Sequence, residues 1–241
     1  MADRLLQRQA RLVEHLTSSA SIFGAVRGRS NDPALLGLDL ALLHLEARFA
    51  HEKRMQKIEW VLTRTLELLG HRREAMIREF VAACPPTGIS WLGNARQFHA
   101  FLKVRWRHEP PVPAHLPDIA AYEIAYATVR AGERHGPGVT EAPAGTVRCH
   151  PTTVLLCCAH DIRPLLEGRA GNDTPARRET RLAVTILPGT DEPQVSELSR
   201  DLFELLEMLD RFIDPAIFQD MPDAGMLIQN LAAGGLIEVH P

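Results

Sequence analysis

Eleven histidines and four cysteines are the side chains best suited to do chemistry in this chain of 241 residues. Metal binding is the first chemistry to test. His99, His108 and His115 are spaced too widely for one helical face, while Cys149, His150, Cys157, Cys158 and His160 lie on or beside a segment that reads as a strand. Alternation along that strand sends Cys157 and Cys158 to opposite faces, and Cys157 and His160 likewise. A zinc site needs four converging ligands, ordinarily in tight pairs, and no CxxC pair occurs. The residues therefore read as small buried thiols and surface imidazoles. Nucleophilic chemistry has no better support, because the chain holds no GxSxG elbow, no P-loop and no GxGxxG. Tyr122-Glu123 could do acid-base work, but a tyrosine on an apolar stripe belongs to a core with its hydroxyl at the edge. The expectation is a chain without catalytic residues and without a metal or cofactor of its own.

Composition narrows the class. Hydrophobic residues make up 45%, charged residues 24% and aromatics 5%, the profile of a folded globular chain rather than a collagenous or disordered one. The net charge is −3, from 27 basic and 30 acidic residues, but it is unevenly spread. Residues 190–241 hold eleven acidic residues against Arg200 and Arg211, a local −9; residues 1–189 hold 25 basic and 19 acidic, or +6. Such asymmetry marks a domain boundary or a charged partner. The start, MADRLLQRQARLVEHL, lacks an apolar signal run, and no stretch has the length of a membrane span. A cytoplasmic protein with reduced thiols is expected.

The first half has helical period. Met55, Ile58, Leu62, Leu66 and Leu69 recur at steps of three and four between about Ala47 and Gly70. Another helix carries Met76, Ile77, Phe80, Val81 and Cys84, and Pro85-Pro86 stops it. Phe98, Phe101 and Leu102 share a third face, and Pro117 opens a helix bearing Ile119, Tyr122, Tyr126 and Val129. Residues 132–145 are rich in Gly and Pro, which predicts a linker between a helical domain (1–140) and a second domain (147–241). There the period changes: 152–159, 181–187 and 194–198 read as strands. Ser199 then caps a helix with Leu202, Leu205, Leu206, Leu209 and Ile213 on one side, and a last helix runs from near Asp223 to Gly234-Gly235. The fold class is α+β, mostly α: a helical domain followed by a winged-helix-like module of three strands and three helices.

A winged helix suggests DNA, but affinity for a duplex comes largely from Lys and Arg on phosphates. The last helix contains neither, and its region stands at −9. No nucleic-acid partner is expected. The remaining feature is a sheet edge. A third strand of Gln194, Val195, Ser196, Glu197 and Leu198 leaves one ladder of donors and acceptors unpaired, which is a socket for an extended peptide. Met226, Leu227, Asn230 and Leu231 could wall the other side of such a groove. For Leu227 and Leu231 closure of the module's own core is an equal alternative.

These pieces in this order resemble a known family. Phe80-Val81, Pro85-Pro86, Leu92-Gly93 and the helix Leu116 to Glu123 are similar to the helical domain of the HvfC/BufC group. The segments CHPTTVLL and SRDLFELLEMLDRF…LIQNLAAGGLIEV resemble that group's second domain, itself similar to the PqqD-type peptide-recognition module. The resemblance runs from about residue 45 to the end, and within the group is nearest to the MbnC type. It implies a non-catalytic partner of a DUF692-type (MbnB-like) iron oxidase, with the iron in that enzyme. It also implies a basic precursor peptide (MbnA-like) whose leader is held here while its cysteines are oxidised, as in the oxazolone and thioamide of methanobactin. Pro85, Pro86, Trp91, Leu92 and Gly93 would then dock the enzyme. The alternatives are a TglI-type partner in 3-thiaglutamate biosynthesis, a free-standing peptide-binding adaptor or regulator, and a metal enzyme using His150, Cys157 and His160.

Overall fold

The computed structural model describes residues 2–24, 32, 35–133, 142–167, 174–218 and 223–240. The chain is α+β and mostly helical, and it divides into two compact units, Met1–Ala114 and His115–Pro241. The division precedes the Pro117 helix, whereas the sequence placed it in the 132–145 segment. Most of that segment lies outside the described residues.

The first unit is built from helices α1 (Ala2–Thr17), α2 (Ser19–Phe23), α3 (Leu40–Val61), α4 (Thr63–Leu68), α5 (Arg73–Ala83) and α6 (Trp91–His108). The periodic stripe is its core: Met55, Ile58, Leu62, Leu66 and Leu69 are all buried. The stripe is not one continuous helix, because it breaks at Leu62, where ψ is 41°. Asp39 caps the start of α3 by accepting from the Ala41 and Leu42 amides. α3 packs on α6, and Phe80 of α5 meets Phe98 of α6 edge to face with ring centres 4.9 Å apart.

The second unit begins with α7 (Leu116–Arg130) and continues through β1 (Val147–Cys149), β2 (Val154–Cys158), α8 (Arg163–Leu166), β3 (Thr180–Ile186), β4 (Pro193–Glu197), α9 (Arg200–Met208), α10 (Ala224–Ala233) and β5 (Ile237–Val239). β2, β3 and β4 form an antiparallel meander in that order. Its side chains alternate between two apolar layers. Val154, Leu156, Val184, Ile186 and Val195 pack with Tyr122, Ala125, Tyr126 and Val129 of α7. Leu155 and Ala183, from the opposite face, join Phe203, Leu206 and Leu231. Covering one face of the sheet is why α7 belongs to this unit.

A second ladder, β1 with β5, joins positions 90 residues apart, Arg148 opposite Glu238. Those two side chains form an ion pair, and the Arg148 guanidinium lies 4.4 Å from the Phe212 ring centre. The residues after Gly234-Gly235, where the sequence reading ends, therefore form a strand. α9 also ends earlier than expected. Ile213 trades both backbone bonds with Val147, at 2.8 and 2.9 Å, so it cannot continue the helix.

Gly235 makes the turn into β5 with φ at +67°, and a Cβ there would stand 2.7 Å from the Ile186 carbonyl oxygen. Its own carbonyl accepts from the buried hydroxyls of Thr153 and Thr185. Gly235→Ala is expected to cost about 1–2 kcal/mol, read as a lower urea midpoint. An unchanged midpoint would mean that this turn is not under constraint.

Candidate peptide-binding edge

β4 pairs with β3 on one side, and among the described residues no strand pairs with the other. The register sets Val184 opposite Val195, and the Leu198 amide donates to the Arg181 carbonyl at 2.8 Å. Antiparallel ladders alternate. Gln194, Ser196 and Leu198 therefore turn their backbone groups toward β3, while Pro193, Val195 and Glu197 turn theirs to the open side. Pro193, itself buried, agrees with this assignment, since a proline in a strand fits where the ladder does not need its missing N–H. The free edge thus offers the N–H groups of Val195 and Glu197 and the carbonyls of Pro193, Val195 and Glu197.

Both ends of this edge are anchored. Ahead of it, Glu192 accepts from the Tyr126 hydroxyl at 3.0 Å and lies 3.5 Å from Arg130. At its end, Arg163 and Arg178 each bridge Glu197 to Asp161. Glu197 is therefore already neutralised and is not a free anion for a basic ligand. Hydrogen bonds from Arg163, and then from Arg178, hold the Asp161 carboxyl well below the usual carboxylate range despite some desolvation. A carboxyl depressed in the folded state stabilises the fold above its unfolded value, about 3.9, and the contribution is lost as pH falls below that. Asp161→Asn is expected to destabilise the unit at pH 7 and to flatten the loss between about pH 5 and 2, measured by urea titration across pH. A parallel loss in both proteins would exclude Asp161 from the acid transition.

The other residues expected at the edge divide into two groups. Gln194 and Ser196 are exposed and Val195 is half-buried. Leu198 and Leu231 are core residues, 7% and 5% exposed, and Leu227 packs against the same cluster. They support the sheet from beneath rather than meeting a ligand. α10 packs against β5 rather than β4, which leaves Met226 and Asn230 exposed but does not make them a wall of the β4 groove. In place of that wall, β4 runs through the Ser199 cap into α9, whose exposed side carries Asp201, Glu204, Glu207 and Met208. Arg200 pairs with Glu204. The whole unit holds ten basic and nineteen acidic residues, net −9.

The 84–93 segment of the first unit is held from within by Arg54. This side chain is buried beside Phe80, 4.4 Å from the ring centre. It donates to the Cys84 carbonyl at 3.0 Å, Gln97 Oε1 at 2.8 Å and Asn94 Oδ1 at 3.1 Å. Asn94 passes the support on to the Gly88 and Ser90 carbonyls, Gln97 to Pro85, and Lys57 to Ile89. Pro85, Pro86, Trp91 and Gly93 stand on this scaffold exposed, whereas Leu92 is fully buried and belongs to the core. Ile89 at the tip is 88% exposed. Nothing in the helical period marked Arg54, a charge set on an otherwise ordinary helix.

Around β1 and β2, burial sets the state of two thiols and a carboxylate holds one imidazole. Burial pushes Cys158 up to about 12 and Cys149 up to about 11, so neither is a thiolate at neutral pH. Asp118, at the start of α7, accepts from the Ala159 and His160 amides and from His160 Nδ1 at 2.8 Å, stapling α7 to the end of β2. Tyr122 is raised to about 12 by burial and then by Tyr126 and Glu123, which suits a core tyrosine. Among the described residues no group of three or more His, Cys, Asp or Glu could hold a metal ion, and no helix is long and apolar enough to cross a membrane. No protein-family model matches the chain, and no curated protein does.

Proposed function

We propose that this chain is a non-catalytic, cytoplasmic partner subunit. It binds the leader of a ribosomally made precursor peptide and presents the peptide's cysteines to a DUF692-type iron oxidase, as in methanobactin-like oxazolone and thioamide formation. The observation that carries the peptide-binding half is the unpaired side of β4, anchored at both ends, in a unit of net charge −9. A basic leader adds there as a fourth strand: two amides and three carbonyls give affinity, and the acidic surface speeds encounter. Since Glu197 is neutralised, the attraction comes from α9 and the rest of the unit. The oxidase half rests on the resemblance of residues 80–123, with the Arg54-braced loop as a firm docking surface. In this reading the iron and the oxygen chemistry belong to the partner.

The test is fluorescence anisotropy of a labelled basic leader peptide titrated with the full chain. Micromolar affinity that weakens as salt rises, with an acidic peptide of equal length not bound, is the expected result. Equal binding of both peptides would remove charge from the account.

A further inference from the structure

We infer that the first unit carries a separate ligand site, a cleft of about 270 Å³ that takes a carboxylate on a short apolar chain. The inference is independent of the peptide-binding reading. The cleft lies between α1, α2, α3 and the 85–90 loop. Leu16, Ile22, Pro86 and Ile89 supply apolar wall, and its described lining includes Lys53, Lys57 and His51 but no Asp or Glu. Arg54 and Asn94 also reach the cleft, but their polar atoms are engaged in bracing the loop.

Two donor groups remain for a ligand. Lys57 gives one hydrogen bond to the Ile89 carbonyl, and an ammonium has three to give. Lys53 is exposed and has no ion pair among the described residues. His51 also lines the cleft, but its Nδ1 is enclosed by protein and is not offered to a ligand. Two cations with no carboxylate in the described lining select an anion. The apolar wall selects one with a hydrocarbon tail, and the volume restricts that tail to a small ligand.

The experiment is calorimetric titration of the full chain with sodium octanoate, octylamine hydrochloride and inorganic phosphate at one ionic strength. Octanoate is expected to bind with a Kd of about 10⁻⁴ M and at least about tenfold more tightly than the other two. Lys53→Glu is expected to weaken octanoate about tenfold. Ala50→Phe, which fills the cleft from an exposed lining position, is expected to abolish binding without lowering the melting temperature. Octylamine or phosphate binding as tightly as octanoate overturns the proposal, as does octanoate that fails to saturate below about 5 mM or that binds both variants unchanged.

Discussion

Replacing Arg54 by alanine is expected to destabilise the first unit by about 3 kcal/mol and to release the 84–90 loop. Three hydrogen bonds from one guanidinium are lost together, and the carboxamides of Asn94 and Gln97 lose the donor that orients them toward the loop carbonyls. The stem also packs against Phe80, so a void adds to the loss. Relief from burying a charge offsets part of it, since all three acceptors are neutral. Arg54→Lys keeps the charge but cannot fork to three acceptors, and is expected to recover less than half. Chemical denaturation gives the stability, and amide exchange at 86–90 gives the loop. Loss of stability with unchanged exchange would mean that Arg54 supports the helices but not the loop.

The second large effect is expected from Val195→Pro. Its N–H faces the open side of β4, so the substitution leaves the β3 ladder intact while removing one of only two edge donors. It also sets a ring where the incoming carbonyl would lie. Leader affinity is expected to fall about thirtyfold, near 2 kcal/mol, with the unit still folded. Val195→Thr, which keeps the amide, is expected to bind normally. Ser196→Pro is the informative contrast: its amide points to β3, so it is expected to lower stability before it lowers affinity. Unchanged affinity in Val195→Pro would remove β4 as the binding edge.

Much of this was legible locally. The three strands of the meander fall within two residues of the runs that β-branched composition marks, and the buried stripe from Met55 to Leu69 follows its spacing. What escaped was long-range. α7 has an apolar face that fits a helical bundle or a sheet equally well, and only Val154, Val184 and Val195 decide between them. β1 and β5 are three residues each, too short to carry a period, and each exists because the other is there. Ile213 continues an unbroken leucine pattern, yet Val147 takes its backbone away from the helix. For the site, the edge was readable because a third strand with no fourth to follow leaves a ladder open. Its anchors were not: Glu192, Asp161 and Arg178 look like solvent-facing charges until the sheet brings them to β4. Leu198 and Leu231 fit edge and core equally in sequence, and packing assigns them to the core.

Co-expression with a DUF692-type oxidase encoded in the same genome, followed by size-exclusion chromatography and iron analysis, tests whether this chain is that enzyme's partner. The expected result is a one-to-one complex that carries iron, formed from a chain that is metal-free when purified alone. Within that complex, a basic precursor peptide would be retained by the wild type and lost with Val195→Pro. Separate elution of the two proteins at micromolar concentration would contradict the partner assignment. Stoichiometric metal in the chain alone would contradict the non-catalytic one.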